Sequence, residues 1–250
     1  ELTLPLDSNS GHAGYHQAGK HFDLFVFDDA GTLRLGSGPA WTSDTSRGSG
    51  VGTTEIEQID GFWVNANTIT LRFGSASGNT ISVPANEATF VGTMRATSLD
   101  GTVNDSRDRR HLSNAYNLVA LPVQTPPSSN HTYSTAAWRQ FGGDPAQIVS
   151  AVFSLGGHEI NLDFRAHVAN DTATTRVTLV GIGVDSTVAS SADTHLQGYC
   201  SNTIVAYPDC AMRGLATPGR HSYYPLQYGG GTDTQTWVFT GGRLAGTVQN

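Results

Sequence analysis

The chain has 250 residues, a formal net charge of −7 and a charged fraction of only 14%. Its one basic cluster, at residues 107–111, is interleaved with Asp105 and Asp108, so we expect no nucleic-acid partner, which would normally meet a basic stripe. No apolar run approaches the ~20 residues that span a bilayer, so we expect no membrane insertion.

Residues 1–20 precede the first predicted strand, and we interpret them as a connecting segment. The sequence opens at Glu1 without a signal peptide, which suggests a segment of a longer chain. His12 and His16 have the spacing of a helical zinc-binding pair, but the glycines around them disfavour a helix. A surface segment is the favoured interpretation.

Strand-like alternation dominates from residue 21 onward. Thr68–Phe73 and Ile160–Val168 place apolar side chains on one face and polar ones on the other, at the period of two that a strand requires. Arg176–Val184 is apolar on both faces in its second half, which indicates a central strand. A short helix is predicted near Gly52–Ile59, where Thr53 begins a capping pattern. The other predicted strands are Phe22–Phe27, Leu33–Leu35, Phe62–Asn65, Phe90–Arg95, Tyr116–Leu121, Thr132–Gln140, Ile148–Leu155, His221–Gln227, Gln235–Phe239 and Leu244–Val248.

Short strands separated by turns rich in Gly, Asn and Asp predict an all-β fold, an antiparallel sandwich of the jelly-roll kind. The segment 122–130 carries two adjacent prolines, which cannot donate backbone hydrogen bonds. It is either a linker between domains or a crossover between sheets. We favour two β lobes, residues 21–122 and 131–250, joined by a Pro-rich linker at 123–130.

The two cysteines, Cys200 and Cys210, are ten residues apart with a turn signal before the second. That spacing fits a hairpin that a disulfide could cross-link, and two reduced thiols are the alternative. Two thiols alone are too few ligands for zinc. The segment Asp100–Asp105 offers oxygen ligands, so Ca²⁺ is a possible cofactor there, although the segment lacks the spacing of an EF-hand loop.

The sequence contains no assembled catalytic motif, and we expect a protein that is not an enzyme. The segments around Ser37 and Ser49 fail the Gly-x-Ser-x-Gly spacing of a hydrolase nucleophile. Glu159 and Asp163 share a face of a predicted strand, as a glycosidase pair might, but solvent exposure is the simpler explanation. We therefore predict no catalytic residues, and a polysaccharide-degrading enzyme is the least favoured reading.

The C-terminal stretch is dense in aromatic residues, which makes it the candidate ligand-binding site. Aromatic faces pack on the apolar face of a sugar, while polar groups fix the directions of its hydroxyls. Adjacent residues on a strand face opposite ways, so one of Tyr223 and Tyr224 is expected in the core. Core or inter-subunit packing is the favoured alternative for the whole set, which comprises Tyr223, Tyr224, Tyr228 and Trp237.

Several segments, taken in order, resemble a group of tailed-bacteriophage virion proteins of the tail-fibre or appendage kind, most of which are uncharacterised. The first half of the match comprises residues 22–28, 38–47, 90–95 and 110–117. The second half comprises residues 133–140, 180–187, 219–224 and 241–246. The match covers about 230 residues, and the chain departs from the pattern at residues 65–88 and 200–210. The family has no settled catalytic residues to carry over.

This resemblance implies an exposed position on the phage particle. The expected role is adhesion to a host-surface glycan or receptor, without chemistry. The expected partners are other virion proteins and further copies of this chain, with a trimer favoured. The alternative is an architectural virion part, such as a head fibre or a capsid decoration protein.

Within the matched segments we assign structural roles. Trp41 is expected in the core, and Asp44 and Arg47 are expected to form a pair that braces their loop. Gly92 and Gly181 lie within predicted strands, where a missing side chain lets a neighbouring strand approach closely.

Overall fold

A computed structural model describes residues 1–191, 196–201 and 204–250 of the chain. The fold is all-β, as the sequence predicts, and its strands form three antiparallel sheets apart from one short parallel pairing. Within the described residues, the one helical element is a single 3-10 turn at Phe141–Gly143. None of the described residues forms a helix long and apolar enough to cross a membrane.

The first lobe is an eight-stranded sheet with the order β3-β4-β7-β1-β2-β5-β6, in which β9 also pairs with β7. The strands up to this point are β1 His21–Asp29, β2 Thr32–Ala40, β3 Ile56–Ile59, β4 Phe62–Asn65, β5 Ile69–Arg72, β6 Thr80–Val83, β7 Ala88–Arg95, β8 Arg109–Arg110 and β9 Leu112–Asn114. Only β8 of these belongs to another sheet, because it pairs with a strand of the second lobe.

The first sheet curls around a small aromatic core. Phe25 of β1 and Phe90 of β7 are fully buried and pack edge to face with ring centroids 5.8 Å apart. Gly92 lets β9 lie directly against β7, because a Cβ at this position would stand 2.2 Å from the carbonyl oxygen of Ser113. The predicted close approach at Gly92 is thereby confirmed.

Residues 1–20 lie against the first sheet through a buried ion pair. Arg72 of β5 contacts the carboxylate of Asp7 at 3.0 Å, and both side chains are 2% exposed. The same guanidinium donates to the carbonyl oxygen of Ala13. His16 is buried beside them and makes a hydrogen bond of 2.9 Å with Ser37 of β2. The N-terminal segment is therefore part of the first lobe's packing.

The second lobe is a sandwich of a five-stranded and a six-stranded sheet. The first has the order β10-β19-β14-β17 with β11 on β19, and the second has the order β16-β15-β18-β13-β8 with β12 on β18. Their strands are β10 Ala120–Gln124, β11 His131–Tyr133, β12 Trp138–Gln140, β13 Val149–Phe153, β14 His158–Asn170, β15 Arg176–Val184, β16 Leu196–Cys200, β17 Asp209–Ala216, β18 Gly219–Tyr228 and β19 Gln235–Gln249.

The alternation in β14 explains how the two sheets bury one core. Its even-numbered residues from His158 to Asn170 are buried, while the odd-numbered ones between them are exposed or partly exposed. Phe164 and Trp237 from this sheet contact Phe141 edge to face, with centroids 5.3 and 6.0 Å away. One apolar cluster thus fills the space between the sheets.

The lobes are joined by polar contacts and by β8. Arg47 of the first lobe forms an ion pair with the buried Asp23 at 2.6 Å and donates to the carbonyl oxygen of Ser154 in the second lobe. Trp41 is buried under the same guanidinium, whose carbon lies 4.3 Å from the centroid of the Trp41 ring. The predicted core position of Trp41 is confirmed, and Arg47 connects the lobes.

The structure corrects the following local predictions. The predicted helix near residues 52–59 is a turn followed by β3, because Gly50 and Gly52 adopt φ of +83° and +86°. Residues 115–119 form a connector, so the predicted strand at 116–121 begins only at Ala120. Asp44 does not pair with Arg47, and its carboxylate instead contacts Arg220 at 3.3 Å.

The predicted linker overlaps a strand. Residues 120–124 form β10, which pairs with β19, and Val123 is buried in the second lobe's core. The backbone N–H of Gln124 also donates to the carbonyl oxygen of Arg107. The chain therefore enters the second lobe before the adjacent prolines.

Candidate functional site

Two of the four aromatic residues predicted to bind a ligand lie in the core of the second lobe. Trp237 is 0% exposed and Tyr223 is 1% exposed. Burial raises the pKa of Tyr223 far above its ordinary value. Neither ring can present a face to a sugar, so the predicted site is wrong for these two residues, and the alternative of core packing applies.

Tyr224 and Tyr228 are half-buried on β18. Tyr228 packs edge to face against Trp138 of β12, with centroids 5.4 Å apart. The four residues therefore do not form one exposed surface, because the adjacent Tyr223 and Tyr224 face opposite sides of β18 and Trp237 lies on β19 in the other sheet.

The two cysteines are both free and buried. Cys200 ends β16 at the edge of the six-stranded sheet, while Cys210 lies on β17 at the edge of the five-stranded sheet. The hairpin that would have brought them together is not formed, so the possible disulfide is absent. Burial raises the pKa of the Cys210 thiol to about 12, with the carboxylates of Asp209 and Asp163 adding to the effect.

The carboxylates at residues 100–105 bind groups of the protein itself. Asp100 accepts a hydrogen bond of 2.6 Å from the backbone of Ala18, and Asp105 lies 3.3 Å from Arg110. Across residues 1–191, 196–201 and 204–250, no three His, Cys, Asp or Glu side chains are grouped to hold a metal ion.

A groove with a volume of about 430 Å³ lies between the two lobes. We call it the junction groove. The first sheet supplies one side of it, and β10 with the end of the chain supplies the other. Its apolar walls consist of Leu24, Leu35, Val91, Leu112, Val119 and Leu121.

Three asparagine side chains also line the junction groove: Asn114, Asn117 and Asn250. The Asn114 carboxamide oxygen accepts from the backbone of Tyr116 and Asn117, both at 2.9 Å, which fixes the loop that walls the groove. Asn250 is 5% exposed and donates its amide to the carbonyl oxygen of Leu112 at 2.7 Å.

The Asn250 carboxamide oxygen has no hydrogen-bond partner within the described part of the chain, although it is buried. A buried acceptor without a donor costs about 1–3 kcal/mol. A donor from a bound molecule or from water would remove this cost. The junction groove therefore combines apolar walls with an unused acceptor.

An exposed aromatic pair borders the same loop. Phe62 is 58% exposed and Tyr116 is 46% exposed, and their ring centroids are 6.3 Å apart. The Tyr116 hydroxyl accepts a hydrogen bond of 2.9 Å from the backbone of Trp63, which holds the ring in place. Tyr116 lies between Asn114 and Asn117, so the pair and the groove share one loop.

The charge at the junction groove is low. Among the residues that the structure describes, Asp105 is the one charged residue that lines it, and Arg110 lies 3.3 Å from its carboxylate. Apolar walls, amides and a paired charge suit a neutral ligand with hydroxyl groups better than an ionic one.

Comparison with known protein families and with curated proteins finds no match to this chain.

Sequence reasoning missed the junction groove because its parts are far apart in the chain. Asn114 and Asn117 lie more than 130 residues before Asn250, and the chain has no local pattern that links them. The predicted strand at residues 116–121 places the exposed Tyr116 on a sheet face, whereas it lies in the loop. The one available signal was the Asn-Ala-Tyr-Asn run, typical of an ordered polar loop.

Proposed function

We propose that this chain is a surface protein of a tailed-phage particle that adheres to neutral glycans of the host through the junction groove. The resemblance of the ordered sequence segments supports the phage assignment. The observation that carries the binding role is the groove itself, where apolar walls and asparagine amides surround an unused buried acceptor. Binding of this kind needs no chemistry.

The physical chemistry of a sugar matches this surface. The C–H face of a pyranose would lie on Phe62 or Tyr116, whose rings contact each other, and a hydrogen bond holds the Tyr116 ring in place. A hydroxyl would donate to the Asn250 oxygen, and the Asn117 side chain lies at the same wall. Single-site affinity would be weak, and several copies on one appendage would multiply it.

A microbial glycan array tests this proposal. The wild-type protein, multimerised on a scaffold, is expected to bind neutral glycans on the array. Leu112→Asp places a charge in the groove at a position that is 46% exposed, so the fold should tolerate it and glycan signal should fall at least 10-fold. Leu99→Asp is the matched control, because Leu99 is 66% exposed and does not line the groove.

Two outcomes would overturn the binding role. The first is that the wild-type protein binds no glycan on the array above background. The second is that Leu112→Asp and Leu99→Asp bind glycans equally well, which would place the binding surface elsewhere.

The second candidate function is an architectural role, in which copies of this chain form a homo-oligomer such as a trimer. A different surface favours this role. Exposed apolar side chains gather at one rim of the second lobe. Val177 of β15 and Tyr199 of β16 are cross-strand neighbours there, and Tyr207 stacks on His167 with centroids 4.8 Å apart. The rim is defined by Val177, Tyr199, Ile204, Val205 and Tyr207, all more than a third exposed.

Sedimentation equilibrium tests this second candidate. If the rim is a subunit contact, Ile204→Asp should lower the oligomeric mass, whereas Val188→Asp, at a position that is 69% exposed and outside the rim, should not. A monomeric wild-type protein would contradict it. The position of the chain in images of intact particles then separates appendage from capsid decoration.

A further inference from the structure

Three polar side chains form a hydrogen-bonded series at one end of the second lobe. His221 of β18 lies between Asp185, which follows β15, and Thr217, in the turn between β17 and β18. Its Nδ1 is 2.8 Å from the Asp185 Oδ2, and its Nε2 is 3.0 Å from the Thr217 Oγ1. These are the contacts of a hydroxyl nucleophile, a general base and a carboxylate that orients the base.

The hydrogen-bond directions in this series are fixed by chemistry. An ionised carboxylate only accepts hydrogen bonds, so the His221 Nδ1 carries the proton and donates it to Asp185. In the neutral ring the Nε2 is then an acceptor, and the Thr217 hydroxyl donates to it. The tautomer that can take a proton from Thr217 is therefore the one that this geometry selects.

Asp185 is held rigidly enough to orient the ring. Its second carboxylate oxygen accepts a hydrogen bond of 2.7 Å from the backbone of Ser222, and its own backbone N–H donates to the Ser222 carbonyl at 2.8 Å. It adopts φ of +53°, a left-handed conformation uncommon for residues other than glycine. Such conformations persist where surrounding contacts impose them.

A small apolar pocket adjoins the hydroxyl. Thr217 is exposed to solvent, and it lines a cavity of about 130 Å³ together with His221. This volume corresponds to roughly four water molecules in the liquid. The other walls include Ile160, Val184, Met212 and Leu215. The pocket has the size and polarity for a short acyl group, such as acetyl.

We propose that Thr217, His221 and Asp185 hydrolyse esters of short carboxylic acids. The Thr217 Oγ1 attacks the ester carbonyl carbon while its proton moves to the His221 Nε2. The carbon–oxygen bond to the alcohol breaks, and the alcohol leaves with that proton. A water molecule then gives a proton to the same Nε2 and attacks the carbonyl carbon of the acyl group on Thr217. The bond from that carbon to Oγ1 breaks, Oγ1 takes the proton back from Nε2, and the carboxylic acid leaves.

Thr217 and His221 are the catalytic residues in this proposal, and Asp185 is a positioning residue. The site lies in the second lobe and does not line the junction groove, so the proposal goes beyond glycan adhesion and does not rest on it. It departs from the sequence-based expectation of no catalytic residue. The Gly-x-Ser-x-Gly motif of hydrolases is built around serine, whereas Thr217 lies in an ordinary Thr-Pro-Gly turn.

The test uses p-nitrophenyl acetate and mass spectrometry of the acid-quenched protein. The wild-type protein should hydrolyse the ester and carry an acetyl group on the peptide that contains Thr217. Thr217→Val keeps the shape but removes the nucleophile, so the acyl-enzyme should disappear, whereas Thr217→Ser should keep it. His221→Gln should lower the rate about 100-fold or more. Thr102→Val, which removes an exposed hydroxyl elsewhere, is the matched control.

The pH profile separates a positioning role of Asp185 from a merely structural one. The rate of the wild-type protein should rise with pH, because the proposed mechanism needs an unprotonated general base. Asp185→Asn should lower the rate and change this profile while leaving the melting temperature close to that of the wild type. The length of the substrate's acyl chain gives a further check, because p-nitrophenyl decanoate should be hydrolysed at least 10-fold more slowly than the acetate.

The proposal is overturned if the wild-type protein is no faster than Thr217→Val, or if the acetyl group is found only on other residues. In that case the three side chains brace the turn, and the variants should change the melting temperature alone. Neither result affects the array experiment on the junction groove.

Discussion

In the second lobe, twenty buried apolar residues form a single cluster, whereas the first lobe has two clusters of seven and three among the described residues. The first lobe instead buries charged side chains in pairs: Asp7 with Arg72, and Asp23 with Arg47. The second lobe therefore depends mainly on apolar burial, which is insensitive to pH. The first lobe depends in addition on paired charges, whose partners must stay in place.

Replacing Arg72 should produce the largest difference in stability between the two lobes. Arg72→Met removes the guanidinium from the buried Asp7 carboxylate, which should lower the free energy of unfolding of the first lobe by about 3–5 kcal/mol. Hydrogen exchange of β1 and β7 measures this loss. The control is Arg34→Met, whose ion pair with Asp29 is 40% exposed at the arginine and should matter by less than about 1 kcal/mol. Equal effects of the two variants would refute the assigned role of the buried pair.

Phe164→Ala is the counterpart in the second lobe. Phe164 is 0% exposed and packs on Phe141, so the cavity should lower the free energy of unfolding by about 3–5 kcal/mol at most. Protection should be lost first in β14 and β15. If β1 and β7 lose as much protection as these strands, the two lobes unfold as one unit and the comparison fails.

Acid should weaken the first lobe more than the second. Burial, helped by Arg95, lowers the pKa of His21 to about 3, and burial lowers the pKa of His16 to about 4. The unfolded chain binds protons on these histidines below about pH 6.5, while the folded chain does not. Stability therefore falls with falling pH down to the folded-state pKa, by about 1.4 kcal/mol per pH unit for each histidine.

Urea unfolding of the first lobe at pH 7 and pH 4.5 checks this slope. His21→Phe keeps a ring beside Trp41, on which His21 stacks at 5.1 Å, and removes the titrating group. The variant should therefore show a shallower pH dependence than the wild type. An unchanged slope would show that the neutral state of His21 is not what couples pH to stability.

Reductant should have no effect on the melting temperature, because both cysteines are free. Alkylating agents should leave the folded protein unmodified, since burial raises the pKa of both thiols. After unfolding in guanidinium without reductant, both thiols should react. A protein with no reactive thiol under these conditions would contain the disulfide that the structure lacks.

The sequence identified what local periodicity specifies. The alternation at residues 160–168 falls within β14, and the two-sided apolar run at 176–184 coincides with β15. Pairing across the chain was not available to such reasoning. Asp23, Arg47 and Ser154 meet at the junction although they are far apart in sequence. The helix predicted near residues 52–59 is wrong, because the capping pattern does not overcome Gly50 and Gly52, which adopt positive φ.

The candidate site shows the same difference between what local sequence predicts and what depends on pairing across the chain. Aromatic density pointed to Tyr223 and Trp237, but density alone does not distinguish a core from a surface, and both residues are buried. The junction groove requires β9, β10 and Asn250 to converge, which depends on the order of strands in the sheets. Thr217 and His221 are four residues apart, yet Asp185 joins them only because β15 pairs with β18.

The central claim is tested most directly by titrating ¹⁵N-labelled protein with a neutral glycan that the protein binds on the array. The account predicts that the side-chain amide signals of Asn114, Asn117 and Asn250 shift together along one binding curve, and that Leu112→Asp abolishes these shifts. Shifts confined to the second lobe, with the three asparagine amides unchanged, would contradict it.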